Sequence, residues 1–306
     1  MVALLAISTA RASFELMIIT DWNSGFHRFD AETGTYLGMF GNGQTEGTLA
    51  TWGSSATNRF YAMSYNGLRS WNYSTGAYLG IVNFNCINSY ATNDASGNFI
   101  TVAGSAVTTF GLSGVNSGVN ISGTSLQWIY RHDDGRYYMG DSSNGGRILR
   151  TTGTTVSSSV DVVASGLGSI GMPATPRHAM AHIRPGLPNF ANGLYVHDST
   201  TNDRFYAFDS NFNYVSNSGY GVSNLTTRNG AARGHYGIYH VGKTSTAGTI
   251  GIGYLDDGSA WRYFTSNLIS QPTSMTVILA PEPGSIVAFG AGLAAMLRGL
   301  KRSVKS

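Results

Sequence analysis

Two of the seven histidines stand four residues apart in His178-Ala179-Met180-Ala181-His182, and His197-Asp198 follows on the next expected strand. Imidazole suits zinc, copper and iron(II), and positions i and i+4 of a strand share a face. His178, His182 and His197 are therefore candidate ligands for a divalent metal across a hairpin. No carboxylate stands between the pair and Met180 shares its face, so the alternative is a polar lining for a central channel. Asp133-Asp134-Gly135 and Asp256-Asp257-Gly258 gather oxygen ligands of the kind calcium takes. Neither continues as a D-x-D-x-D-G loop, and Asp-Gly is equally the composition of a tight hairpin turn. Trp22, Trp52, Trp71, Trp128 and Trp261 offer faces for sugar stacking or bulk for packing between sheets. Cys86, the single cysteine, has no intramolecular partner and reads as a small buried apolar side chain. There is no G-x-S-x-G elbow, H-E-x-x-H helix, P-loop or Cys-x-x-Cys pair. No catalytic set and no cofactor follow from motifs.

The elements that must position these residues are strands. The stretch from Asn23 to Gly38, containing Phe29-Asp30-Ala31-Glu32-Thr33-Gly34-Thr35-Tyr36-Leu37-Gly38, aligns with that from Asn66 to Gly80, containing Trp71-Asn72-Tyr73-Ser74-Thr75-Gly76-Ala77-Tyr78-Leu79-Gly80, at an offset of 42 residues. Each copy reads as strand, Thr-Gly turn, strand, with Gly supplying the positive φ that a tight turn needs. Fainter copies occur at Val107 to Leu112, Arg147 to Gly153 and Arg204 to Asp209. A unit of about 40 residues with four short strands is the signature of a propeller blade. Second-strand starts near Glu15, Arg59, Asn98, Arg136, Gly193 and His235 give six units. A degenerate seventh around Val160 to Pro176 would fill the long fourth gap. The first unit lacks an innermost strand, and the run Pro272 to Leu279 would supply it from the other end, leaving no long edge open. The expected fold class is thus all-β, a single β-propeller of six blades within a range of five to seven, with a pair of sandwiches or a solenoid as the alternatives.

The two ends carry different chemistry. Val2 to Ala10 is apolar and closes on Ala10-Arg11-Ala12, the small-x-small pattern that signal peptidase cleaves, here before Ser13. A first β-strand is the other reading. At the far end Ala280-Pro281-Glu282-Pro283-Gly284-Ser285 leads into the uncharged run Ile286 to Leu297, then Arg298, Lys301, Arg302 and Lys305. Twelve to fourteen such residues rise about 18–21 Å as a helix, and the basic cluster would stay cytoplasmic, leaving the body outside. Residue by residue this tail resembles the PEP-CTERM sorting signal, with Pro281, Glu282 and Pro283 as its motif, a hydrophobic helix, and Arg298, Lys301 and Arg302 as its basic cluster. The resemblance implies processing by an exosortase-type transpeptidase at the inner membrane of a Gram-negative, exopolysaccharide-producing bacterium, and membrane contact through the helix until then. An uncleaved C-terminal anchor is the alternative. The repeats resemble the NHL-like and quinoprotein-like propellers.

These readings divide the chain into a signal-peptide remnant (1–12), a propeller (13–279) and a sorting tail with its hydrophobic helix (280–306). Setting the tags aside removes five of the nineteen basic residues and Glu282 of the sixteen acids, which leaves fourteen against fifteen. The near-neutral body gives no reason to expect nucleic acid as a partner, and its basic balance belongs to the tail. Low charge, 40 glycines and abundant Tyr, Phe and Thr fit an extracytoplasmic all-β domain. The leading expectation is a surface-sorted, non-enzymatic propeller that binds a polysaccharide or protein in the cell envelope or matrix. The alternative is a secreted hydrolase or lyase acting on saccharides or lactones with a divalent metal.

Overall fold

The computed structural model describes residues 13–31, 33–41, 50–54, 57–64, 67–83, 91–111, 116–132, 134–172, 178–182, 194–198, 204–218, 225–233, 238–244, 250–255 and 261–281. Among the described residues twenty-four strands follow in order. Strands β1 (Ser13–Asp21), β2 (Gly25–Asp30) and β3 (Tyr36–Phe40) belong to sheet 1. Sheet 2 is β4 (Ala50–Ser54), β5 (Arg59–Ser64), β6 (Gly67–Asn72) and β7 (Tyr78–Asn83). Sheet 3 is β8 (Thr92–Asn93), β9 (Phe99–Ala103), β10 (Ala106–Phe110) and β11 (Asn116–Asn120). Sheet 4 is β12 (Leu126–Arg131), β13 (Tyr137–Asp141), β14 (Arg147–Thr151) and β15 (Val160–Ser165). Sheet 5 is β16 (His178–His182), β17 (Leu194–Asp198), β18 (Arg204–Phe208) and β19 (Tyr214–Ser218). Sheet 6 is β20 (Leu225–Arg233), β21 (Ile238–Thr244), β22 (Ile250–Leu255) and β23 (Trp261–Ser266). The last strand, β24 (Pro272–Pro281), returns to sheet 1 and pairs antiparallel with β1, so that every sheet has four strands.

The repeat seen in the sequence is a repeated hydrogen-bonded turn. Gly34 N–H donates to Asp30 O and Asp30 N–H to Thr35 O, each at 2.8–2.9 Å, and Gly76 with Asn72 and Asn72 with Ala77 repeat the pattern at 2.8 Å. Gly34 and Gly76 hold φ of 72° and 76°, where a Cβ is unfavourable. The Tyr-Leu-Gly elements after these turns are the outermost strands β3 and β7, so Tyr36, Leu37, Tyr78 and Leu79 face solvent.

The core lies between sheets. Along β1, Leu16 and Ile18 pack toward sheet 2 with Phe60, Ala62 and Trp71, while Met17 and Ile19 pack toward sheet 6 with Tyr239 and Val241. The same alternation runs through β5, where Phe60 and Tyr61 point to different clusters, and through β13, where Tyr138 faces sheet 5 and Met139 faces sheet 3. Side chains on a strand alternate between faces, so both faces of the second strands of sheets 1 to 4 carry apolar residues that a neighbouring sheet covers. The innermost strands lie side by side: β24 next to β4, β8 next to β12, β12 next to β16, β16 next to β20, and β20 next to β24. Radial packing of this kind excludes both a solenoid and a pair of sandwiches.

Two sequence expectations change. Val160–Ser165 is the outermost strand of sheet 4 and Leu167–Ile170 is a 3-10 turn, so this stretch is no seventh unit. The long fourth gap also holds β16, the innermost strand of sheet 5. The closing strand also runs beyond Leu279, because Ala280 pairs with Phe14 and Pro281 with Ser13. The expected signal-peptide remnant (1–12) and residues 282–306 of the expected sorting tail (280–306), its hydrophobic helix included, lie outside the described residues. Among the described residues no helix is long and apolar enough to cross a membrane.

Packing between innermost strands is tight enough to test. A Cβ at Gly53 on β4 would overlap Ile278 Cδ1 on β24. Gly53→Val is expected to destabilise the protein by about 1–3 kcal/mol. Urea unfolding should show part of that loss recovered in the Gly53→Val, Ile278→Val double variant.

Candidate functional site

Antiparallel connectivity sorts the loops onto two faces. One carries the turns joining the second and third strands of each sheet and the loops leading into the innermost strands. The other carries the turns joining first to second and third to fourth strands.

On the first face two buried aspartates do the same work in sheets 1 and 4. Asp21 ends β1; its Oδ1 accepts the Asn23 N–H at 2.9 Å and its Oδ2 the Ser270 N–H at 2.7 Å, from the loop leading into β24. Asp141 ends β13; its Oδ1 accepts the Ser143 N–H at 2.9 Å and the Ser125 N–H at 2.8 Å, from the loop leading into β12. Arg147 Nε donates to Asp141 Oδ2 at 2.8 Å and Arg147 Nη2 adds a second, charge-assisted bond. Burial by itself would push the Asp141 carboxyl up, but the hydrogen bonds from Ser125, Ser143 and Arg147 together outweigh it and hold the group below the usual carboxylate range. These carboxylates clamp loops.

The histidine pattern lies on this scaffold only at backbone level. His178 on β16 is opposite His197 on β17, whereas His182 is opposite Leu194 at the other end of the strand. A register shift between His178 and Met180 interrupts the alternation on which a common face for His178 and His182 depends. The side chains of all three lie outside the described residues, as do Ala10, Ala12, Cys86, Asp133, Asp256, Asp257, Glu282, Pro283, Arg298, Lys301 and Arg302. Among the described residues no group of three or more His, Cys, Asp or Glu is placed to hold a metal.

On the second face Asp134 is engaged by its own turn and by the strand that follows it. Asp134 Oδ1 accepts the Arg136 N–H at 2.8 Å and Asp134 Oδ2 the Tyr138 hydroxyl at 2.9 Å. Burial, with that hydrogen bond to the carboxylate, pushes the Tyr138 phenol up to about 12. Trp71 and Trp128 are buried between sheets, and Trp52 stacks on Tyr61 with centroids 5.4 Å apart, so these three pack rather than present a sugar platform.

Among the described residues a concavity opens on the second face. Between sheets 3 and 4 a cleft of about 400 Å³ is lined by Asp94, Asn98, Thr109, Ser117, Tyr137 and Thr155, among others, over a floor that includes Ile100. Sheets 3 and 4 are held together beneath it by Ile100, Val102, Tyr137, Met139 and Leu149. The connection 152–159 overhangs it from sheet 4, and is longer than the Thr-Gly turns of sheets 1 and 2. The rim residues fall in Ser/Thr-rich stretches without a motif, so only the Asp94 to Asn98 turn was visible in the sequence.

No family model matches the chain, and no curated protein sequence matches it. Solved structures do. The nidogen/laminin complex matches with a TM-score of 0.60 over 86% of this chain and 98% of that one, at 12% identity. TolB from Acinetobacter baumannii matches with a TM-score of 0.55 over 87% of this chain and 66% of that one, at 11% identity. The calcium-binding protein regucalcin from Agrobacterium tumefaciens matches with a TM-score of 0.50 over 75% and 77%, at 11% identity. The fold is a β-propeller. Identities this low carry the fold alone, and the propeller's chemistry rests on its own residues.

The clamps predict how stability depends on pH. Burial holds His27 below its ordinary value, outweighing the nearby Asp21, and Asp141 is also held low. Both groups bind protons more readily when unfolded, so both contribute stability that is lost as pH falls. Thermal midpoints should decline below about pH 6.5 as the unfolded state takes up the histidine proton, and again below about pH 4. His27→Gln should flatten the upper step, and Asp141→Asn the lower one at reduced stability.

Proposed function

We propose that the chain is an exported, surface-sorted six-bladed propeller, each four-stranded sheet one blade, that acts without catalysis as a binding component of the cell envelope or exopolysaccharide matrix. The observation that supports this most is the register of the closing strand. Ser13, the first residue after the expected signal-peptidase site, lies opposite Pro281, the first residue of the expected sorting motif. Two peptides that enzymes at the membrane must engage would then leave the folded body side by side, on the second face. Neither has to be threaded past a blade. Extracytoplasmic location, a signal peptidase and an exosortase-type transpeptidase as processing partners, and the sorting role of Glu282, Pro283, Arg298, Lys301 and Arg302 all belong to this proposal.

The test is expression in a bacterium that carries an exosortase and in the same strain lacking it. The mature chain should lose the mass of its tail and reach the surface only in the first strain, and Pro281→Ala with Glu282→Ala should mimic the deletion. Unchanged mass and location in all three cases would remove the sorting part of the proposal.

A further inference from the structure

Resting on the reading of the chain as a binding propeller, we propose that the cleft between sheets 3 and 4 is its ligand site and that it takes a short stretch of neutral saccharide. Its volume of about 400 Å³ lies within the range of small-molecule pockets, roughly 300–1,000 Å³. The lining combines an apolar floor with hydroxyls and a carboxamide, the pairing that a pyranose ring with one C–H face and a hydroxyl rim requires. Tyr137 and Ile100 are buried in that floor. Burial pushes the Tyr137 phenol above its ordinary range, so it stays neutral at physiological pH.

Asp94 is the single carboxylate in the lining and no cationic side chain accompanies it. Its Oδ1 accepts the Ser96 and Asn98 N–H groups at 2.8 and 2.9 Å, and its Oδ2 accepts Asn98 Nδ2 at 2.6 Å. A carboxylate oxygen accepts about two hydrogen bonds, so Oδ1 is filled and Oδ2 has one acceptor position left. That suffices for a sugar hydroxyl and falls short of the six to eight oxygens that calcium takes. The Arg131 guanidinium hydrogen-bonds the Tyr137 phenol from outside the lining, and uronates, sulfates and phosphates would meet the Asp94 carboxylate with no cation in the lining itself. The turn itself does not define the site: Asp209 and Asn213 form the same arrangement in sheet 5, with Asp209 Oδ1 accepting Asn211 and Asn213 N–H at 2.8 and 2.9 Å. What sets Asp94 apart is the cleft beside it.

The full chain is titrated calorimetrically with neutral hexose di- to tetrasaccharides and with uronate and sulfated counterparts. At least one neutral oligosaccharide should bind, more tightly than its acidic counterpart. Asp94→Asn keeps an oxygen for the turn and should weaken binding about tenfold. Ser117→Trp, at an exposed rim position, should abolish it by filling the cleft, and Asp209→Asn should leave it unchanged. Absence of binding to every neutral member, preference for the acidic members, or binding that survives both Asp94→Asn and Ser117→Trp in variants with unaltered melting would each overturn the inference. A protein that reaches the surface but fails this titration loses the cleft alone, and one that binds here but is not sorted loses the address alone.

Discussion

The architecture depends on the two-sided burial of second strands, seen in sheets 1 to 4. A strand such as β1 sends Leu16 and Ile18 to one neighbour and Met17 and Ile19 to the other, and all four are essentially excluded from water. At about 25 cal/mol per Å² of apolar surface this alternation makes each sheet both a wall of one core and a wall of the next. Such a sheet cannot stop the series, because its outer face would be left bare. The chain meets that demand by returning β24 to β1, which lets sheets 6 and 1 cover each other.

Closure of this sort leaves function to the loops and to the seams beneath them, since the inner strands are spent on packing. The first face is fastened by Asp21 and Asp141, which tie the loops leading into β24 and β12 to the turns beside them. The second face is built from short capped turns, and a concavity arises where the 152–159 connection is longer than its counterparts and overhangs the seam between sheets 3 and 4. The same face receives both ends of the β1–β24 pair. A binding cleft and the two expected processing positions therefore share one side of the propeller.

Much of the fold was legible in the sequence because local chemistry and global packing agree. The expected second-strand starts fall within a few residues of β1, β5, β9, β13, β17 and β21, since each begins after a turn residue and continues as an apolar run. Thr-Gly turns were legible because the positive φ at Gly34 and Gly76 demands glycine. The end of β24 was not, because a terminal strand residue such as Pro281 needs no ladder N–H and so looks like the start of a linker. Val160–Ser165 looked like part of a new unit because the gap between the fourth and fifth second-strand starts is long. Sequence periodicity placed His178 and His182 on one face, but it carries no sign of the register shift between His178 and Met180. The cleft could not be read at all, since it depends on which connection projects over which neighbour.

Native-state hydrogen exchange bears most directly on the claim that second strands are locked on both faces. If it is right, amides of Met17, Ile19, Phe60, Met63, Val102 and Met139 exchange only through global opening, with similar protection in sheets 1 to 4, while those of Leu79, Ile81 and Val162 on outermost strands exchange far faster. Second-strand amides that exchange as quickly as the outermost ones, or sheets that open one at a time with widely different protection, would contradict it.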